Sequence, residues 1–144
     1  MPLGATLSSD IQDAISAPGE TASDCAATWA SLLGSYFAGV VPASTTVTTA
    51  QTALQASLAS AFAAAPGAGL ALLETAFTTF AAAVGLGMAP AFVAVPPPAP
   101  VGFSSLGATD DAGEAASSIA SLISTWAQTG TATPSAGGSP VPWT

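Results

Sequence analysis

The chain has 144 residues, half of them apolar, with mean hydropathy +0.60, and it sets eight Asp and Glu against no Lys, Arg or His for a net charge of −8. That is enough apolar chain to fold as one domain. The missing cations exclude DNA and RNA as direct partners, since phosphate binding draws on Lys and Arg, and they exclude docking on anionic lipid through a polybasic face. Without internal salt bridges, packing, backbone hydrogen bonds and helix caps must hold the fold.

Leu3, Leu7, Ile11 and Ile15 step by four, which predicts a short first helix ending at Ala17-Pro18-Gly19. Thr21 and Asp24 then have the spacing of a capping box. Cys25, Trp29, Leu32, Leu33, Tyr36, Phe37 and Val40 keep helical spacing up to Val41-Pro42. The single cysteine allows neither an internal disulfide nor a thiolate metal site, and Cys25 is expected to be a small buried apolar residue. A third helix starts near Ser44 to Thr46, carries Val47, Ala50, Leu54, Leu58, Ala61 and Phe62, and stops at Ala65-Pro66-Gly67. The fourth carries Leu70, Leu73, Phe77, Phe80 and Val84 before Gly85-Leu86-Gly87 and Pro90. Between Glu74 and Pro90, Thr75 to Ala89 is shorter than the ~20 residues a spanning helix needs, and no Lys or Arg flanks it, so no membrane role is expected.

From 89 to 107 the chain reads APAFVAVPPPAPVGFSSLG. Consecutive prolines exclude a helix, while Phe92, Val95, Val101 and Phe103 are too apolar for a free linker, so the segment is expected to be an extended strap lying on the helices. Thr109 is expected to cap a fifth helix, with Asp110, Asp111 and Glu114 in its first turn and Ile119, Leu122, Ile123 and Trp126 on one face, ending about Gln128. At an offset of 90 this helix parallels the second: Asp24 with Glu114, Trp29 with Ile119, Ala30 to Leu33 with Ala120 to Ile123, Tyr36 with Trp126. The two helices are expected to use one face alike and to pack against each other. The last sixteen residues, TGTATPSAGGSPVPWT, combine a glycine-loosened tail with an apolar tip. Trp143 needs a receiving surface, either the chain's own body, a second copy or another protein. The expectation is a flexible arm, residues 129–144, docking on a partner through Pro140, Val141, Pro142 and Trp143.

Chemistry is equally restricted. With no His and no cation to activate a nucleophile, only a carboxylate pair could catalyse. Asp10 and Asp13, at i and i+3, are the best local pair and would require an apolar cleft. Most of the acids stand where helices begin, their ordinary place against the N-terminal dipole. Asp110, Asp111 and Glu114 lack the D-x-D-x-D-G alternation of a calcium loop. No catalysis, no metal and no cofactor are expected. MPLGATLSSDIQD has neither a basic n-region nor an apolar stretch, so no signal peptide is expected.

Four stretches together resemble small Ala/Pro-rich virion proteins encoded among the tail and baseplate genes of tailed bacteriophages and prophages of high-GC bacteria. They are MPLGATL, the Cys25/Trp29/Tyr36 helix running into Ala38-Gly39-Val40-Val41-Pro42, the strap Pro96 to Phe103, and the ending Thr129 to Pro134 with Gly137-Gly138-Ser139-Pro140-Val141-Pro142-Trp143. The resemblance implies a non-enzymatic structural subunit of the tail or baseplate, made in the host cytoplasm and present in several copies. Its partners would be other virion proteins or copies of itself. Because this chain offers only negative charge, a different partner is expected to supply Arg or Lys. The expected architecture is all-α: a small bundle of about five helices over residues 1–128, with the strap at 89–107 inside it and the arm at 129–144. A bacterial surface or filament subunit and a carboxylate-dependent enzyme are the alternatives.

Overall fold

The computed structural model describes residues 6–144 and is mostly helical. Helices α1 (Leu7–Ser16), α2 (Ala22–Ala38), α3 (Val47–Ala63), α4 (Pro66–Leu86) and α5 (Ala112–Ala127) are joined by a small sheet of β1 (Phe92–Val95), β2 (Thr131–Pro134) and β3 (Val141–Pro142). Met1 to Ala5, and with them Leu3 of the first stripe and most of MPLGATL, lie outside the described residues.

Local signals set most helix ends. In α2 the capping box forms as the spacing requires: the Asp24 amide donates to the Thr21 hydroxyl at 3.1 Å, and the Thr21 amide donates to the Asp24 carboxylate at 3.1 Å. Helix α4 opens on Pro66, whose missing N–H costs nothing in a first turn. One expectation about a helix start is corrected. Asp111, not Thr109, caps α5, accepting from the Glu114 amide at 2.9 Å, while the Thr109 hydroxyl donates to the Glu114 carboxylate. Helix α4 carries Leu70, Leu73, Phe77, Phe80 and Val84 as the spacing requires and runs 21 residues, from Pro66 through Glu74 to Leu86. By length and composition α4 could cross a membrane, whereas here Phe77, Phe80, Ala81 and Val84 face the bundle core.

The helices form antiparallel neighbours. Gln51 of α3 lies against Gly34 of α2; the Thr46 hydroxyl donates to the Ala83 carbonyl and that of Ser44 to Val84, tying the start of α3 to the end of α4. The Ser8 and Ser117 hydroxyls, 3.3 Å apart, and Gln12 beside Gly113 set α1 against α5. The expected packing of α2 on α5 is therefore corrected: α2 pairs mainly with α3, and α5 with α1. The parallel in their use holds all the same. Ala30 and Ala120, Leu33 and Ile123, and Tyr36 and Trp126 are all buried, and Ser31 and Ser121 are both exposed. At the centre, Phe37 meets Phe80 edge-on at 5.1 Å, and Phe77 meets Phe103 at 4.9 Å.

The expected flexible docking arm is also corrected. After α5 the chain forms β2 antiparallel to β1, with Phe92 opposite Pro134 and Val95 opposite Thr131, and β3 then pairs with Thr131 and Ala132. Trp143 is 0% exposed and belongs to the core, its amide donating to the Gly130 carbonyl at 2.9 Å. Val41 and Thr144 exchange both backbone hydrogen bonds, at 2.8 and 3.2 Å. The chain's own body receives the tryptophan because the strap offers a strand edge and Gly130 leaves room, since a Cβ there would stand 2.8 Å from the indole. Pro140, Val141 and Pro142 stay exposed.

Replacing Trp143 with Ala is expected to lower unfolding stability by about 3–5 kcal/mol in urea titrations, the range for removing a buried aromatic side chain. A chain ending at Gln128 should lose at least as much. Unchanged midpoints in both would mean that the closed arm contributes nothing.

Candidate functional site: an apolar pocket beside the strap

Glu74 stands on α4 facing the strap, and its carboxylate accepts hydrogen bonds from three successive amides: Val101, Gly102 at 3.0 Å and Phe103 at 2.9 Å. Successive N–H groups converge on one anion in this way only where the backbone turns sharply, and Gly102 supplies the turn with φ of 101°. The indole of Trp126 on α5 donates to the Pro98 carbonyl at 2.8 Å. The strap is thus fastened to two helices, one by a carboxylate and one by an indole. Of the four expected strap contacts, Phe92 is half-buried against the core, while Val101 and Phe103 are buried. Val95 is corrected: it is 59% exposed, because strand alternation turns Phe92 and Ala94 inward and Val93 and Val95 outward.

The fastened strap end closes one side of an apolar pocket of about 280 Å³. Trp29 of α2, Leu58 and Phe62 of α3 and Leu70 and Leu73 of α4 form most of its wall. Phe77 and Phe103, already edge to edge, lie beneath, with Leu106 and Ile119 opposite. Trp29 and Ile119, equivalent at the offset of 90, both line the pocket. Phe62 and Leu70 keep 37% and 38% exposure at the mouth. Every lining side chain is apolar except for the indole N–H of Trp29, so the pocket can hold hydrocarbon but cannot orient a polar group.

The acids cluster near this end. Because α1 and α5 are antiparallel, Asp13, Glu20 and Asp24 gather with Asp110, Asp111 and Glu114 where α1 finishes and α2 and α5 begin, with Asp10 one turn back along α1. Asp10 and Asp13 are both exposed beside a wide, shallow depression between α1 and α2, not in an apolar cleft. Asp111 and Glu114 are engaged in capping α5. Cys25 is half-buried, its thiol 3.5 Å from the Gly19 carbonyl. No protein family, curated protein or solved structure matches this chain.

Two side chains in these arrangements were not singled out by sequence reasoning. Glu74 enters the sequence reading only as one bound of an apolar run, although an acid inside such a run of a cation-free chain is itself a signal that backbone donors must meet it. Phe62 was assigned to a core stripe; its place just before Ala65-Pro66-Gly67, facing Leu70 across the turn, was the available clue.

Glu74→Gln is expected to cost about 1.5–3 kcal/mol, since an amide offers one acceptor oxygen and turns a donor toward the strap amides. Urea unfolding measures it, and an unchanged midpoint would detach the strap from Glu74. Burial raises the Tyr36 phenol above its ordinary 10.0, an effect partly offset by nearby Ser124, whose hydroxyl falls short of hydrogen-bonding geometry. The folded state therefore holds this proton more tightly than the unfolded chain. Its stabilisation is complete below about pH 10 and is lost as pH climbs through and beyond that value. Tyr36→Phe should flatten this alkaline loss in melting curves taken from pH 8 to 11.5; equal slopes would assign it to another group.

Proposed function

We propose that the protein is a non-enzymatic structural subunit of a tailed-phage virion, in the tail or baseplate region, present in several copies. The sequence resemblance suggests the setting, and one structural observation supports an assembly role. Five large apolar side chains stand exposed at the end of the bundle away from the carboxylate cluster: Val41, Leu86, Val93, Val95 and Val141. None of the eight acidic side chains lies in β1, β2, β3 or their turns. Copies of a chain without cations repel one another at their acidic ends, so contact between copies falls to this end, which carries no acidic side chain. There β1 is an edge strand with Val93 and Val95 outward, a form suited to meeting another strand. In this reading Pro140, Val141 and Pro142 remain partner-facing, whereas Trp143 anchors the surface from beneath. Docking by a tryptophan-tipped arm is not part of the proposal.

Particles of the encoding phage or induced prophage, banded on a density gradient, should contain this chain at a constant ratio to the major tail protein by quantitative mass spectrometry. Its absence from the banded particles, or a ratio that varies across the band, would reject the proposal.

A further inference from the structure

We infer that the pocket between Trp29, Leu70 and Ile119 receives an apolar side chain from a cationic segment of a different protein. The lining sets the first half of that chemistry. At about 280 Å³ the pocket has room for roughly nine water-sized groups at ~30 Å³ each, the bulk of one tryptophan or two leucines. With walls of hydrocarbon and only the Trp29 indole N–H as a polar group, it gains from burying apolar surface and offers a polar occupant almost nothing.

Charge around the pocket sets the second half. Glu20 and Asp24 precede Trp29 on the way into α2, and Asp110, Asp111 and Glu114 precede Ile119 on the way into α5. Asp24 to Trp29 and Glu114 to Ile119 are each five residues, about 7 Å along a helix axis at ~1.5 Å per residue. That is within the screening length of about 8 Å at physiological ionic strength. Glu74 follows Leu73 of the pocket wall, but its carboxylate is already met by the strap amides. A segment entering here meets an apolar cavity flanked by negative charge that no cation of the chain balances. A second copy of this chain cannot complement it, having no Lys, Arg or His, and anionic amphiphiles are repelled. The fitting partner is a protein segment that presents Leu, Phe or Trp with Lys or Arg beside it. This site is separate from the sheet end and does not depend on the virion reading.

A fluorescein-labelled amphipathic helical peptide of Leu and Lys, and the same peptide with Glu replacing Lys, would be titrated with the full chain and followed by anisotropy. The Lys peptide should bind and the Glu peptide should not. The double variant Phe62→Ser/Leu70→Ser should weaken binding at least about tenfold through lost apolar contact. Should that variant melt early, Leu106→Trp, which fills the pocket, should give the same loss. Glu20→Gln/Asp110→Asn, at two exposed carboxylates that make no hydrogen bond in this structure, should weaken binding about threefold and flatten its salt dependence. Val93→Ser/Val95→Ser, at the other end, should leave it unchanged. Equal binding by wild type and both pocket variants would reduce the effect to charge adsorption and overturn the inference. Equal binding of the Glu peptide, or no binding of the Lys peptide, would overturn it too.

Discussion

A carboxylate drawn toward the interior of a chain without Lys, Arg or His can be satisfied only by hydrogen-bond donors, and Glu74 finds three of them in succession on the strap. Much of the molecule follows from that one contact. It holds the backbone at Gly102 in its left-handed turn and sets Phe103 against Phe77, which also touches Trp126. Trp126 in turn holds Pro98, so the strap from Pro98 to Val101 crosses between two fixed points. The strap's first half then presents Phe92–Val95 as a strand edge, and the C-terminal segment completes the sheet on it and buries Trp143. Charged hydrogen bonds of this kind are worth more than neutral ones, and part burial strengthens them further.

The same lack of cations shapes the surface. Carboxylates without partners are best placed against helix N-terminal dipoles, and chain order brings the starts of α2 and α5 to one end. Negative charge therefore collects there, and the sheet end is left free of acidic side chains. The two ends differ in chemistry as a result: one apolar and without acidic side chains, the other an apolar pocket flanked by carboxylates. A subunit with two unlike ends can contact unlike neighbours, which is the geometry that the proposed assembly role uses.

The parallel between α2 and α5 has a packing explanation. Both begin at the acidic end and both use Ala, Leu or Ile and an aromatic at matching levels, with Ala30 and Ala120 small enough to let a neighbouring helix close in. They do not pair along their lengths. Instead their side chains line the same spaces, Trp29 and Ile119 the apolar pocket, and Tyr36 and Ser124 a second depression.

The number and order of the helices, the Thr21 and Asp24 capping box, the breaks at Pro18 and Pro66 and the inward faces of the strap at Phe92, Val101 and Phe103 were legible in the residues themselves. All of these are decided by neighbours within a turn or two: cap hydrogen bonds, proline's missing donor and the spacing of apolar side chains. What lay beyond such reach was not legible. Val95 points outward because it pairs with Thr131, thirty-six positions away, and α2 takes α3 as its partner because the chain turns back after Pro42. The role of Glu74 depends on a strap that returns to it after the rest of α4 and a strand. Sequence alone established that Trp143 must be received by some surface, since an indole left in water is costly. Only the tertiary structure decided that the surface is the chain's own, because β1 offered an edge and Gly130 left the space, and neither is a property of the residues around the tryptophan.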